Sequence, residues 1–341
     1  MYARAVEIAA RIVRLQLAET FVIARETSDY ADVVHVSLTH DGVTGFGEAA
    51  PIERYDESAQ SAIAFVDEHG RLVGDDPFAL EDIGERLAAI PGAQAAKSAL
   101  DGALHDLQGK LLDIPTFRLL GLPRTGPPTS WTIWLGDPDD MARRAERAAR
   151  TYRRLKLKLG GGDGLDVERV AAVRGATDLP LMVDVNEWWT LEEALDVLPR
   201  LAELGVEYCE QPLRAGDEGG RELKQRSPIP IYVDEDCHTL ADVETCSEIA
   251  HGINIKLAKS GGIREAIRMA HAARALRMGV MLGCMVESGL GIAAGCCVAP
   301  LCDHIDLDGN LLLGEDPWPG VELVDGVQVP SLSPGLGVAA A

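Results

Sequence analysis

Lysine is scarce: of the 32 Lys and Arg residues in this 341-residue chain, only seven are lysine, at 97, 110, 156, 158, 224, 256 and 259. Positive charge is short altogether, and 54 acidic side chains leave a net charge of −22. So acidic a surface repels phosphate backbones and anionic headgroups, which argues against nucleic-acid or membrane-surface binding. It does not exclude a small anionic substrate in a locally basic or metal-bearing pocket. No uncharged apolar run reaches about 18 residues, so no spanning helix is expected. Arg4, Glu7, Arg11, Arg14, Glu19 and Arg25 interrupt any signal-peptide core. The seven cysteines (209, 237, 246, 284, 296, 297, 302) form no C-x-x-C pair, which leaves neither a disulfide framework nor a thiolate zinc site. A reduced, cytoplasmic protein is expected.

The length suggests about two domains at roughly 150 residues each. The first 50 residues alternate as strands, in Val6–Leu17 and Val33–Leu38, with a turn at Asp41-Gly42. Residues 58–68, 78–89 and 94–112 then carry Ala and Leu at helical spacing. Together they predict an α+β domain over 1–125, ending in the Gly/Pro-rich stretch 121–128. Beyond it, apolar runs recur at 130–134, 153–159, 180–186, 206–212, 230–235, 252–257, 279–285 and 303–308, most of them separated by amphipathic segments. Eight strands with crossovers predict a parallel (β/α) barrel over 126–318. A turn at Asp325-Gly326 predicts a small hairpin in the stretch from about 319 to 341, returning to the first domain.

One polar side chain stands near each strand end: Thr132, Lys158, Asp184, Glu210, Asp234, Lys256, Cys284 and Asp306, at intervals of 22 to 28 residues. Barrel enzymes build their active sites at the C-terminal ends of the strands. Where so Arg-biased a chain keeps lysine, an amine able to lose its proton is called for, which Arg cannot supply. Period two puts Lys156 and Lys158 on one strand face, where burial and mutual repulsion are expected to lower the pKa of at least one. Asp184, Glu210 and Asp234 end adjacent strands and would repel unless protons or a cation sit among them. Oxygen-only ligands favour Mg²⁺ or Mn²⁺ over zinc, with buried salt bridges to the neighbouring lysines as the alternative. Asn186 is placed to orient Asp184. Lys256 lies four strands round the ring from Lys158, on the opposite wall, while Lys259 falls beyond the strand as a solvated or structural residue. Two opposed bases and a cation that stabilises developing enolate charge predict a 1,1-proton transfer, hence racemisation or epimerisation.

Several motifs resemble the enolase superfamily in its muconate-lactonizing-enzyme-like subgroup. They are Gly45-Phe46-Gly47-Glu48-Ala49, the Ala99-Leu100-Asp101 to Asp106-Leu107 helix, the Lys-x-Lys pair, the acidic trio, and Asn254-Ile255-Lys256 through Gly262. The resemblance implies an α+β capping domain over a modified (β/α)₇β TIM-like barrel. It implies Lys158 and Lys256 as the two acid/bases, Lys156 assisting by charge, and one Mg²⁺ per subunit on Asp184, Glu210 and Asp234. It also assigns specificity to cap loops 20–27 and 51–57.

Substrate class rests on His304-Ile305-Asp306-Leu307-Asp308-Gly309. Two carboxylates there could grip an ammonium group. The pattern looks like the Asp-x-Asp with which dipeptide epimerases hold a free α-amine; the other reading is an Asp-Gly turn. A dipeptide epimerase acting at the C-terminal residue, on L-Ala-D/L-Glu or a related dipeptide, is therefore expected. Thr132, Cys284 and Arg25 are the further substrate contacts, Arg25 resembling the family residue that meets a Glu side chain and Arg54 being a second candidate. Val185 and Asp236 depart from the family pattern, and Asp236, two residues on and facing the same way as Asp234, would disfavour an acidic side chain. The rivals are N-acylamino-acid racemase, o-succinylbenzoate synthase and muconate cycloisomerase on the same fold, a Schiff-base aldolase, and a peptide-binding barrel without activity. Assembly into a homo-oligomer is left open.

Overall fold

In the computed structural model, which describes residues 6–341, an antiparallel sheet comes first. Its strands β1 (Glu7–Val22), β2 (Thr27–His40) and β3 (Val43–Ala49) lie in chain order. Asp41 and Gly42, both at positive φ, make the turn between β2 and β3. Helices α1 (Ala59–His69), α2 (Leu80–Ala88), α3 (Gln94–Leu111) and the single turn α4 (Thr116–Leu119) follow. α3 is buried on almost every side, including Ala95, Ala96, Ala99 and Ala103, because it lies between the sheet and the barrel. β3 approaches α3 so closely that a Cβ on Gly47 would stand 2.0 Å from the Ala99 carbonyl oxygen. Two backbones meet there, and neither can swing aside as a side chain would. Gly47→Ala is expected to destabilise the protein by roughly 1–3 kcal/mol, measurable as a lower urea midpoint.

The other motif residues of this layer tie it to the barrel. Asp101 Oδ2 accepts the Ile263 N–H (2.6 Å) and Glu48 Oε1 accepts the Ser288 N–H (2.8 Å), while Asp106 Oδ2 accepts the Phe46 N–H (2.8 Å) and joins α3 to β3 within the layer. Ile263 opens a barrel helix, so Asp101 satisfies a donor that the helix itself cannot.

Eight parallel strands then alternate with helices. They are β4 (Trp131–Ile133), α5 (Pro138–Ala148), β5 (Leu155–Lys158), α6 (Asp166–Ala176), β6 (Leu181–Asp184), α7 (Leu191–Glu203), β7 (Val206–Glu210) and α8 (Gly220–Arg226). Next come β8 (Ile231–Val233), α9 (Val243–Ile249), β9 (Gly252–Lys256), α10 (Leu257–Ser260), α11 (Ile263–Ala275), β10 (Gly279–Gly283), α12 (Gly289–Val298) and β11 (His304–Asp306). Each strand pairs with its chain neighbour, and the Ser130 N–H donates to the Ile305 carbonyl (2.8 Å) where the ring closes. Every strand lies inside one of the eight apolar runs. The barrel is layered: Leu155 and Leu157 pack outward with the helices, while Lys156 and Lys158 point inward. Met182, Tyr208, Tyr232 and Met281 fill the floor, with His304 4.5 Å from the Tyr208 ring centre.

The predicted hairpin exists as β12 (Val321–Val324) and β13 (Val327–Pro330). It lies against the barrel: the Gly326 carbonyl accepts the Thr129 N–H (2.8 Å), and Gln328 donates to the Leu307 carbonyl (2.8 Å). The chain returns to the first layer only after it, where the Leu336 N–H reaches Asp106 (2.7 Å). Among the described residues no helix is long and apolar enough to cross a membrane.

Candidate active site

Lys158, Asp184, Glu210 and Lys256 are the last residues of β5, β6, β7 and β9, and Asp234 directly follows the last residue of β8. The two lysines stand on opposite walls of an eight-stranded ring, with the three carboxylates on the strands between them. Lys158 donates to Asp184 Oδ2 (2.6 Å) and Lys256 to Asp234 Oδ2 (2.8 Å). Each keeps 11% of its side-chain surface exposed at the barrel mouth.

Lys156 differs. Only 1% exposed, it lies beneath the mouth with its Nζ 2.7 Å from Glu210, 2.8 Å from Asp306 and 3.2 Å from Asp184. From β5 it ties together β6, β7 and β11. Its pKa is corrected. Burial acts to lower it, but Asp306, Glu210 and Asp184 hold it well above the usual lysine value. Lys256 is likewise raised, Asp234 outweighing burial.

The carboxylates divide according to their neighbours. Burial would raise Asp184 and Asp234, yet their lysines keep both below the usual range, whereas Glu210 is raised by burial and by the charge of Asp184. Asp234 holds a second cation, the buried Lys259, which also donates to the Cys237 carbonyl (2.8 Å). Lys259 is thus structural and not solvated. It follows Lys256 by three residues, a helical spacing that α10 realises and that could have been read from the sequence.

Asn186 does orient Asp184, its N–H donating to Oδ1 (3.0 Å) and its amide to Oδ2 (3.3 Å). Two further residues sit beside the trio without having been expected there. Gln211 Oε1 accepts the N–H groups of Asp234 (2.8 Å) and Glu235 (3.0 Å), and Asn254 donates to Glu210 Oε1 (2.7 Å). Glu235 is the third omission: its buried carboxylate accepts from Arg25 (2.7 Å) and is pushed up to about 7 by burial and by Asp234. Asp236 turns away, accepting from Gln211 (2.7 Å) and the Gly216 N–H (2.7 Å). β8 ends at Val233, so strand alternation does not carry Asp236 to the Asp234 side.

Arg25 therefore meets Glu235 and, at 3.5 Å, Glu187, rather than standing free for a substrate carboxylate. Arg54 is paired to Glu187 through two bonds, 2.8 and 3.0 Å. On the other side of the ring, Asp306 Oδ1 accepts from Ser130 Oγ (2.6 Å) and Oδ2 from Lys156. Asp308 Oδ2 accepts the Thr132 N–H (2.8 Å), and burial with the adjoining Asp306 pushes it up to about 7. Cys284 donates to the Asp306 carbonyl (3.2 Å), and burial raises its thiol well above the ordinary value, so it is no thiolate nucleophile.

Whether a divalent cation fits can be judged from the donors. Among the described residues no three His, Cys, Asp or Glu side chains are gathered to hold an ion as they stand; instead the lysine ammonium groups pair with the carboxylates. The salt bridges anticipated as an alternative are therefore present. The donor set still suits a hard cation: three buried carboxylates at the ends of adjoining strands, where the charge of Asp234 acts to raise Asp184 and both act to raise Glu210, and a buried Asn186 Oδ1 without a hydrogen-bond partner.

Two family models cover the chain: "Mandelate racemase / muconate lactonizing enzyme, N-terminal domain" over residues 5–121, and "Enolase C-terminal domain-like" over 140–341. The L-Ala-D/L-Glu epimerase of Bacteroides thetaiotaomicron is 38% identical over 95% of this chain and 85% of its own. The hydrophobic dipeptide epimerase of Roseobacter litoralis is also 38% identical, over 92% and 93%. The crystal structure of the Enterococcus faecalis dipeptide epimerase with Mg and L-Leu-L-Tyr superposes with a TM-score of 0.94 at 31% identity, over 98% of this chain and 99% of that one.

Proposed function

This chain belongs to the mandelate racemase and muconate lactonizing enzyme family of the enolase superfamily, and from that premise we propose that it epimerises dipeptides at the α-carbon of the C-terminal residue. The observation that carries the reading is the pair of lysines, each with 11% of its side chain exposed, on opposite walls, with three carboxylates at the ends of the strands between them. An α-carbon held between those walls has an amine on each face. One lysine takes its proton and the other returns one to the opposite face, which inverts the centre.

Asp184, Glu210 and Asp234 would hold one Mg²⁺ per subunit. When bound, it supplies positive charge that these carboxylates otherwise draw from the lysines and that the substrate carboxylate needs. Lys156 and Lys259 keep the trio in place from below and behind. The free α-amine of the dipeptide is assigned to Asp308 with Asp306. Among the described residues no cation pairs with Asp308, which is pushed up to about 7, so an ammonium beside it draws it into the charged form. The seven free cysteines suit a cytoplasmic setting.

Asp308→Asn tests the amine assignment, because Asn can still accept the Thr132 N–H while losing the charge. KM for a dipeptide is expected to rise about tenfold or more, and the N-acetylated dipeptide to be a poor substrate of the parent enzyme. An unchanged KM, or equal activity on the N-acetyl compound, would point to an acylamino-acid racemase instead.

A further inference from the structure

Glu187 collects hydrogen bonds from three separate loops. Its Oε1 accepts from Arg54 Nη2 (2.8 Å) and from the Ala215 N–H (3.0 Å); its Oε2 accepts from Arg54 Nε (3.0 Å) and lies 3.5 Å from Arg25 Nη1. Arg25 belongs to the cap loop between β1 and β2, Arg54 to the cap segment after β3, and Ala215 to the barrel loop between β7 and α8. The first of these cap segments meets the loops just beyond the catalytic strand ends, and the second reaches Glu187, three residues past Asp184. Ala24 packs at Gly160, two residues beyond Lys158, and Arg25 reaches Glu235, which adjoins Asp234.

The backbone is bent to place this carboxylate. Asn186 and Glu187 both lie at positive φ, +48° and +71°, so the chain turns sharply after Asp184 and Glu187 points up to the cap. Such a conformation is unfavourable for residues other than glycine and persists where the surroundings fix it. Glu187 itself is largely enclosed, with 10% of its side chain exposed. A hydrogen bond to a charged partner in that setting is stronger than an exposed ion pair.

We propose that Glu187 is a positioning residue that seats both cap loops over the barrel mouth, acting through Arg54 and Arg25, and so sets substrate grip while leaving the proton transfer itself to the lysines. The inference rests on the reading that the dipeptide lies between Lys158 and Lys256. Its test is arranged so that the two can fail separately.

The structural arm uses no substrate. Amide hydrogen exchange of residues 20–27 and 51–57 is compared among the parent protein, Glu187→Ala, Glu187→Gln and Arg54→Ala. Faster exchange is expected in both segments for Glu187→Ala, a smaller effect for Glu187→Gln, and faster exchange confined mainly to 51–57 for Arg54→Ala. Arg54 is 44% exposed, so its replacement leaves the core intact. The kinetic arm expects Glu187→Ala to raise KM about tenfold with kcat altered by less than about threefold. The double variant Glu187→Ala/Arg54→Ala should be no worse than Glu187→Ala alone. Unchanged exchange in 51–57 for Glu187→Ala and Arg54→Ala alike, or a fall in kcat at constant KM, would overturn the proposal. Inactivity of the parent on every dipeptide would instead count against the functional reading, and the exchange result would still decide the role of Glu187.

Discussion

Lys256→Ala is expected to slow epimerisation by about 10²–10⁴-fold while leaving α-proton exchange of one diastereomer in place. The asymmetry follows from the two-walled site. With the β9 amine gone, Lys158 still withdraws a proton from the face it reaches, and in D₂O it returns a deuteron to that same face. The substrate diastereomer whose proton faces β5 then exchanges without inverting, and the other is inert. Lys158→Ala should give the opposite pattern. Neither change strips its carboxylate of positive charge, since Lys259 still holds Asp234 and Lys156 lies 3.2 Å from Asp184. A defect in activity would therefore report chemistry rather than collapse of the site. The measurement is deuterium incorporation into each pure diastereomer, followed by ¹H NMR. Exchange of both diastereomers in either variant would contradict the assignment of one lysine to each face.

Lys156→Met is expected to cost about 3–5 kcal/mol of stability, the largest loss among these predictions. The substitution keeps the length of the side chain and removes a cation placed within 3.2 Å of Asp184, Glu210 and Asp306 together. Breaking a buried ion pair leaves uncompensated charge in a medium that cannot solvate it. Here three carboxylates are affected, although Asp184 keeps Lys158 and Asp306 keeps its bond from Ser130. Urea unfolding of parent and variant gives the difference directly. Repeating it with millimolar Mg²⁺ should return part of the loss if Asp184 and Glu210 hold the ion, because a ligand of the folded state stabilises it. A loss below about 1 kcal/mol would mean that Lys156 does not bind the ring together.

The barrel was readable because parallel strands are buried on both faces. Polar residues are therefore few along the strands and gather toward their C-terminal ends, and so the interval from Thr132 through Lys158, Asp184, Glu210 and onward became visible. Alternation placed Lys156 and Lys158 inward correctly but could not tell a buried ammonium from one at the mouth; that depends on Asp306, which is 150 residues away in the chain. Arg25 looked like a free guanidinium for a similar reason, its partner Glu235 being 210 residues distant. Asp236 was misdirected because alternation was extended past Val233, where the strand stops. The motif residues Gly47, Asp101 and Asp106 were recognisable as a pattern. Their physical purpose, close backbone approach and acceptance of N–H groups from other elements, depends on contacts that only the folded chain makes.

The most direct test of the account is ¹H NMR of the Mg²⁺-loaded protein in D₂O with L-Ala-L-Glu and a small panel of other dipeptides. The two-lysine site predicts that the α-proton signal of the C-terminal residue disappears while resonances of the second diastereomer grow in, and that the N-terminal α-proton is untouched. Retention of the C-terminal α-proton in every dipeptide, with exchange seen only for an N-acyl amino acid, would contradict dipeptide epimerisation and leave a racemase of acylated amino acids on the same two lysines.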